Sequence, residues 1–126
     1  MKAQLVATAL VALLAQHAAP ASPIETTYCA EGHMPGDGQV VMLATSWCPY
    51  CAKARAWLKK HKVDYCEYDV EQSATGQVLQ SRAGSHGIPV IFMDGEVIHG
   101  YDVDELRALL RGRLSAAPRA HPTTLR

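Results

Sequence analysis

The charge of the chain is balanced, which argues against a partner recognised by bulk electrostatics. Its 126 residues hold twelve Lys plus Arg against twelve Asp plus Glu, with no block of like charge. A balance of this kind does not indicate a basic surface for nucleic acid or for an anionic membrane. The length favours one small domain, and we expect a monomer without a nucleic-acid partner.

The first 21 residues have the pattern of a secretory signal peptide. Lys2 precedes an apolar run from Leu5 to Ala15, and small residues follow up to Ala21. The run is shorter than the roughly 20 residues that a membrane span needs. We predict cleavage after Ala21, export to the periplasm and no stable membrane association afterwards. An uncleaved signal anchor is the alternative.

The first half of the remaining chain predicts a strand, a helix and a second strand. Residues 22–38 lack periodicity and contain Pro and Gly, which indicates a linker with local turns. The apolar run 39–45 predicts a buried strand, and the alternating segment 63–70 predicts another. Between them, residues 49–61 have helical periodicity. The predicted apolar face of this helix holds Tyr50, Ala54, Trp57, Leu58 and His61.

The second half predicts a helix, a hairpin and a last helix. Residues 71–83 form the weaker helix, with Val78, Leu79 and Ala83 on its apolar side and Gly84 as its stop. Two apolar runs in 88–100 surround Asp94 and Gly95, the strongest hairpin signal in the chain. Asp102 is expected to cap the last helix. Its apolar side holds Leu106, Leu109, Leu110 and Leu114.

The resulting order β-α-β-α-β-β-α predicts an α/β fold. We expect a four-stranded mixed sheet with three helices covering its two faces. The domain is expected to occupy residues 39–114, followed by a flexible tail at 115–126.

Two cysteines stand where the first strand gives way to the first helix. Cys48 falls at the helix N-terminus, where unpaired N–H groups and the helix dipole favour a thiolate, the nucleophilic form. Cys51 lies one turn deeper, less exposed but close enough to attack a mixed disulfide on Cys48. The pair predicts a redox site in which Cys48 attacks and Cys51 resolves. Lys53 and Arg55 either add positive charge or are simply solvated.

Two other interpretations of this pair stay open. A static disulfide would close so short a loop that it adds little chain-entropy stabilisation. A zinc site needs four ligands, and none of Cys29, Cys66, His33 and His86 is paired at ligand spacing. The spacing therefore favours redox catalysis, and we predict no metal site.

Three motifs together resemble the glutaredoxin family of the thioredoxin-like fold. They are Cys48-Pro49-Tyr50-Cys51 after a strand, Ile88-Pro89-Val90 before a hairpin, and Gly100-Tyr101-Asp102 at the last helix. The resemblance covers roughly residues 39–112. Base rates alone favour a trans Ile88–Pro89 bond, whereas the resemblance implies a cis bond.

The resemblance also implies a glutathione groove. Cys48 would take up glutathione or a protein thiol, the Ile88 backbone beside Pro89 would pair with the peptide, and Tyr50 would line the pocket. Tyr101 and Asp102 would receive the γ-glutamyl end, which agrees with the affinity of a helix N-terminus for carboxylates. Glutathione would be a co-substrate, and no bound cofactor is expected.

The chain departs from the family pattern at two positions beside the first cysteine. Thr45 stands three residues before Cys48, where many glutaredoxins have Lys or Arg. Trp47, directly before Cys48, is more similar to thioredoxin.

Cys29 and Cys66 leave two interpretations open. Cys66 could be a small buried hydrophobic residue. In an oxidising compartment the two could instead form a structural disulfide that ties the N-terminal segment to the sheet.

We therefore predict a glutaredoxin-type thiol–disulfide oxidoreductase that reduces protein disulfides or glutathione mixed disulfides. One alternative is an exported thioredoxin-like oxidase or isomerase that does not use glutathione. The other is an iron–sulfur or metal-binding module that uses Cys48 and an external thiol. Redox potential sets the direction of the exchange.

Overall fold

Strands and helices follow one another in the predicted order β-α-β-α-β-β-α. The computed structural model describes residues 25–36 and 38–116, so the predicted signal peptide 1–21 and tail positions 117–126 lie outside the described residues. No helix in the described part is long and apolar enough to cross a bilayer. The strands are β1 (Val40–Ala44), β2 (Tyr65–Asp69), β3 (Val90–Met93) and β4 (Glu96–His99). The helices are α1 (Pro49–Lys60), α2 (Ala74–Arg82) and α3 (Val103–Ala116).

The four strands form one mixed sheet in the order β2-β1-β3-β4. β1 runs parallel to β2 and antiparallel to β3, and β4 returns antiparallel to β3. Val90 at the start of β3 pairs with Leu43 on one side and with His99 on the other. The end of β1, the start of β3 and the end of β4 therefore meet at one end of the sheet. The predicted four-stranded mixed sheet flanked by three helices is confirmed.

Helices cover the sheet on both faces, because alternate β1 residues point to opposite sides. Val40, Met42 and Ala44 belong to the layer beneath α1 and α3, whereas Val41 and Leu43 belong to the layer beneath α2. Both layers are closed by residues whose side chains are almost fully buried. Among these are Leu58, Ile91, Ile98 and Leu106 in the first layer and Tyr68, Leu79 and Val90 in the second.

Three residues that the periodicity placed on apolar helix faces are exposed. α1 turns Cys51, Ala54 and Leu58 toward the sheet, so Tyr50 lies at the margin of that face. α2 turns Gly76 and Leu79 inward, which leaves Val78 outside. α3 fully buries only Leu106, and its last turns carry Leu114 into solvent. The exposed three are Tyr50, Val78 and Leu114.

A glycine lets α2 approach β2 closely. A Cβ atom at Gly76 would lie 2.8 Å from the Cβ of Tyr68, shorter than real carbon–carbon contacts. Ser73 caps this helix, since its hydroxyl accepts a hydrogen bond from the Gly76 N–H at 2.9 Å. The start of α2 and its close approach to β2 therefore depend on the same short segment, Ser73 to Gly76.

The N-terminal segment lies along the outer edge of β2, a contact that the irregular composition of 22–38 did not indicate. Cys29 N–H donates to the Glu67 carbonyl, and Glu67 N–H donates to the Thr27 carbonyl, both at 2.9 Å. Cys29 and Cys66 are joined in a disulfide with a Cα–Cα distance of 4.9 Å. This pairing satisfies backbone groups that an uncovered edge strand would leave open.

The same segment also reaches α2. The Glu31 carboxylate accepts hydrogen bonds from the Thr75 N–H at 3.2 Å and the Thr75 hydroxyl at 2.6 Å. A carboxylate at a helix N-terminus is favourable because it faces unpaired N–H groups and the positive end of the dipole. Hydrogen bonds from Ser73 and Thr75 hold the pKa of Glu31 below its usual value.

Candidate functional site

The sulfur of Cys48 lies at the first N–H groups of α1. Cys48 is the N-cap residue, and its Sγ accepts a hydrogen bond from the Cys51 N–H at 3.3 Å. Sγ is also 4.0 Å from the Ile88 carbonyl oxygen. The residue is 6% exposed and its thiol is free. A helix start and a facing loop thus hold the sulfur at the end of the sheet.

Cys51 is fully buried one turn further along α1. Burial, together with the hydrogen bond to Cys48, raises the pKa of its thiol to about 12, although the Thr45 backbone and the Arg55 charge act in the opposite direction. Cys51 is therefore a protonated thiol at neutral pH. The structure places Cys48 nearer the surface and Cys51 deeper, in the order that the sequence suggested.

The loop before β3 faces Cys48 and is joined to the loop after β4. The Ile88–Pro89 bond is cis, as the family resemblance implied and against the base rate for Xaa–Pro bonds. The Pro89 carbonyl accepts a hydrogen bond from the Gly100 N–H at 2.8 Å. This bond brings Ile88 to the same end of the sheet as Tyr101.

The start of α3 completes this end of the molecule. Tyr101 is half-buried and packs on the core layer that contains Cys48. Asp102 is exposed, and its Oδ1 accepts hydrogen bonds from the N–H groups of Asp104 and Glu105, each at 3.0 Å. The predicted N-cap is therefore present. Its carboxylate already satisfies two of the N–H groups that a helix start leaves unpaired.

Two aromatic side chains are exposed beside the cysteines. Trp47 is 66% exposed, and its indole N–H donates to a Glu71 carboxylate oxygen at 2.9 Å. Tyr50 is 59% exposed, with the Lys53 ammonium 5.2 Å from its ring centroid. Tyr50 is therefore not packed in the core, and its ring is open to solvent at the position where a pocket wall was expected.

A buried ion pair next to the cysteines was missed by the sequence interpretation. The guanidinium of Arg55 binds both carboxylate oxygens of Glu67 at 2.8 Å, and Glu67 is only 2% exposed. Arg55 also donates to the Thr45 carbonyl at 3.0 Å. Of the two interpretations of Arg55, added positive charge or simple solvation, the second is therefore wrong. The available signal was Glu67 at the centre of a predicted strand, between Cys66 and Tyr68, since an unpaired charge is rarely buried.

Thr45 is buried and differs from the surface position that a basic residue would suit. It is 2% exposed, and its hydroxyl has no hydrogen-bond partner within residues 25–36 and 38–116. An ammonium at this position would be costly to desolvate. The burial of the position therefore explains why Thr45, and not Lys or Arg, is accommodated here.

The other cysteine pair lies away from the site. Cys66 belongs to the core layer beneath α2, with Cys29 packed against it, whereas Cys48 and Cys51 belong to the opposite layer. Across the described ranges, no group of three or more His, Cys, Asp or Glu side chains is placed to hold a metal ion.

Sequence comparison identifies relatives of this chain. A sequence model described as Glutaredoxin matches residues 40–98. Glutaredoxin-1 of Rhizophagus irregularis is 38% identical over 80 residues, which cover 60% of this chain and 78% of that protein. A glutaredoxin of Pseudomonas aeruginosa is 39% identical over 82 residues, covering 61% of this chain and 92% of the relative.

Solved structures share the fold. The thioredoxin-like protein BC3987, as its T8A mutant, matches with a TM-score of 0.54 and 32% identity, covering 57% of this chain and 94% of that one. A glutaredoxin from Archaeoglobus fulgidus matches with a TM-score of 0.51 and 28% identity, covering 58% and 86%. The fold is thioredoxin-like, and the chain belongs to the glutaredoxin family of thiol–disulfide oxidoreductases.

Proposed function

We propose that this protein is a dithiol glutaredoxin that reduces glutathione mixed disulfides and protein disulfides through Cys48 and Cys51. The observation that carries the proposal is the position of the Cys48 sulfur, which accepts the Cys51 N–H at a helix start and faces the Ile88 carbonyl. N–H groups at a helix start stabilise a thiolate more than a thiol. Cys48 is therefore the nucleophile.

In the first step, the Cys48 thiolate attacks a disulfide sulfur. A new Cys48–S–S bond forms, the substrate disulfide breaks, and the leaving thiolate takes up a proton. With a glutathione mixed disulfide, a second glutathione thiolate then attacks the glutathione bound on Cys48. That exchange releases oxidised glutathione and restores the Cys48 thiolate.

In the second route, Cys51 resolves a mixed disulfide with a protein. It loses its proton and attacks the Cys48 sulfur, which forms the Cys48–Cys51 disulfide and releases the substrate as a thiol. Two glutathione molecules reduce the new disulfide and leave as oxidised glutathione. Cys51 has no place in the first route, so the two activities are separable.

The glutathione groove would run from Ile88 to the start of α3. In this arrangement the Ile88 backbone pairs with the peptide of glutathione, Pro89 shapes the loop and Tyr50 covers one side. The γ-glutamyl carboxylate would bind N–H groups at Tyr101 and Asp102, and its ammonium would face the Asp102 carboxylate. Supporting this, the Pro89–Gly100 hydrogen bond holds both loops at one end of the sheet.

Export to an oxidising compartment such as the periplasm is part of the proposal, with the mature chain acting as a monomer. The signal-peptide pattern of residues 1–21 supports it. The Cys29–Cys66 disulfide also supports it, because structural disulfides persist outside the reducing cytosol.

A second candidate, an exported thioredoxin-like oxidase or isomerase that does not use glutathione, is favoured by two residues. Trp47 is an exposed aromatic directly before the nucleophile, held by Glu71. Thr45 supplies no positive charge toward glutathione. Both features suit exchange with protein partners.

One assay separates the two candidates. The mature chain is supplied with glutathione, glutathione reductase and NADPH in one series, and with thioredoxin reductase and NADPH in the other. A glutathione mixed disulfide and a protein disulfide serve as substrates in both. We expect turnover of both substrates in the glutathione series. Turnover of the protein disulfide with thioredoxin reductase, and of neither substrate in the glutathione series, would assign the second candidate.

A further inference from the structure

We propose that Arg55 is a positioning residue for the resolving step, because Glu67 and the Thr45 carbonyl fix its positive charge one helical turn from Cys51. There it favours the Cys51 thiolate once Cys48 is bound in a mixed disulfide. The inference rests on the proposed roles of the two cysteines, and it adds Arg55 to the step in which Cys51 resolves the mixed disulfide.

The geometry fixes the charge on the side of α1 that carries Cys51. Arg55 follows Cys51 by four residues, a spacing that brings side chains to within about 5–6 Å at Cβ. Its guanidinium makes three hydrogen bonds of 2.8–3.0 Å, two to Glu67 and one to the Thr45 carbonyl. The Arg55 side chain is only 13% exposed. A charge this confined is weakly screened by solvent.

Thr45 links the charge to the thiol. It stands at the end of β1, and its carbonyl accepts from Arg55, while its backbone favours the ionised form of Cys51. Thr45 therefore acts on both groups from the short segment between β1 and α1. Arg55 and the Thr45 backbone both favour the Cys51 thiolate, whereas burial favours the neutral thiol.

These influences matter most after Cys48 has reacted. In the free dithiol, burial and Cys48 both raise the pKa of Cys51, and Arg55 and Thr45 oppose them. A Cys48 sulfur in a mixed disulfide has neither proton nor charge, so that its contribution disappears. Arg55 and Thr45 then act against burial alone. Cys51 releases its proton to solvent, attacks the Cys48 sulfur and breaks the bond to the substrate sulfur, which leaves as a thiolate and is protonated.

The titratable groups that act on Cys51 or Arg55 come from two elements. Cys48 caps the start of α1, and Glu67 and Tyr65 lie on β2. Burial, with the Glu67 charge, raises the pKa of Tyr65, so its hydroxyl stays neutral in the range of a kinetic assay. Glu67 offsets part of the Arg55 charge. Neutralising Glu67 alone should therefore not slow resolution, and this separates an electrostatic role from a structural one.

The test uses 5,5′-dithiobis(2-nitrobenzoate), which releases one coloured thiolate when Cys48 attacks and a second when Cys51 resolves. Stopped-flow absorbance between pH 6 and 9 follows both phases in the full mature chain. A Cys51→Ser variant, which releases only the first thiolate, assigns them. The rate of the first phase measures attack by Cys48, which tests the proposed function. The rate of the second phase measures resolution by Cys51, which tests the role of Arg55.

The informative variants are Arg55→Gln/Glu67→Gln, which removes the pair without stranding a buried charge, and Glu67→Gln alone. The double variant should slow the second phase about tenfold at pH 7, which displaces its rate–pH curve by about one unit to higher pH, the lower end of the range for one neighbouring charge, because Glu67 offsets part of the Arg55 charge. Glu67→Gln should resolve at least as fast as the parent, and Arg55→Lys should retain most of the rate. Lys60→Gln, which removes an exposed charge from the same helix, should change nothing.

An unchanged second phase in the double variant would overturn the inference. Slowing in Glu67→Gln equal to that in the double variant would also overturn it, because a purely structural role predicts equal effects. If the double variant does not fold, the second-phase rates of Glu67→Gln and Arg55→Lys are compared with that of the parent. Slowing in Glu67→Gln would still overturn the inference, and parent-like rates in both variants would support it. Loss of the first phase in the parent protein would instead contradict the proposed function.

Discussion

The backbone N–H of Cys51 points at the sulfur of Cys48, at 3.3 Å. The two cysteines lie in different surroundings although they are only one turn apart. The Cys48 sulfur accepts the Cys51 N–H and faces the loop at Ile88, whereas Cys51 is fully buried among core side chains.

Alkylation should therefore be selective. Burial raises the pKa of Cys51 to about 12, so at pH 7 we expect iodoacetamide to add one group per folded chain, on Cys48. Because a raised pKa in the fold delays ionisation, labelling of Cys51 should appear only as the pH rises well above 9. Peptide mass spectrometry of the labelled protein locates the group.

The control for this labelling is the Cys48→Ser variant, which should stay unlabelled at pH 7 while folded. Cys29 and Cys66 do not interfere, because they are joined in a disulfide. Preferential labelling of Cys51 would contradict the assigned division of roles.

Removing the Cys29–Cys66 disulfide should weaken the fold without touching the site. The bridge spans a sequence separation of 37 residues, for which chain entropy predicts a contribution of about 4 kcal/mol. We expect Cys29→Ala/Cys66→Ala to lower the free energy of unfolding by about 2–4 kcal/mol in urea titrations. The rate of Cys48 alkylation should stay at the parent value, since the two pairs lie on opposite faces of the sheet. An unfolding free energy equal to that of the parent would show that the segment adds no stability.

Glycine substitutions in two helices should have opposite effects. Gly76→Ala places a Cβ atom 2.8 Å from the Cβ of Tyr68, and we expect a loss of about 1–3 kcal/mol from overpacking. Gly112→Ala is the matched control in α3, where nothing lies within 4 Å of the added atom. There alanine should stabilise by up to about 1 kcal/mol. Urea titration measures both, and equal effects would mean that α2 does not pack as closely on β2 as described.

Asp102 should contribute separately to the helix start and to glutathione binding. Asn is as good an N-cap as Asp, so Asp102→Asn should keep the stability of the parent and raise the KM for glutathione by removing the charge that faces its ammonium. Asp102→Ala should raise this KM too and also lower stability by about 1 kcal/mol. Steady-state kinetics and thermal unfolding measure the two effects. A KM for glutathione unchanged in both variants would remove Asp102 from the groove.

Much of the fold follows from local patterns in the sequence. The apolar run at β1, the Asp94-Gly95 turn and the Asp102 cap each specify their element through neighbouring residues alone. Tyr50 and Val78 were misplaced because helical periodicity gives the face of a helix and not how far the sheet extends beneath it. The Arg55–Glu67 pair joins a helix to a strand twelve residues away, and its geometry depends on tertiary packing. The pairing of segment 27–29 with β2 is equally non-local, since neither segment has a sequence pattern that indicates which strand or segment it pairs with.

In the proposed function, Cys48 alone carries glutathione exchange and Cys51 is needed only for protein disulfides. The most direct measurement is the turnover of a glutathionylated peptide by the mature Cys51→Ser variant, with glutathione, glutathione reductase and NADPH. We predict that this variant keeps turnover of the glutathionylated peptide and loses reduction of a protein disulfide, while Cys48→Ser loses both. Loss of turnover on the glutathionylated peptide in Cys51→Ser would contradict the assignment of this chain as a glutathione-using dithiol glutaredoxin.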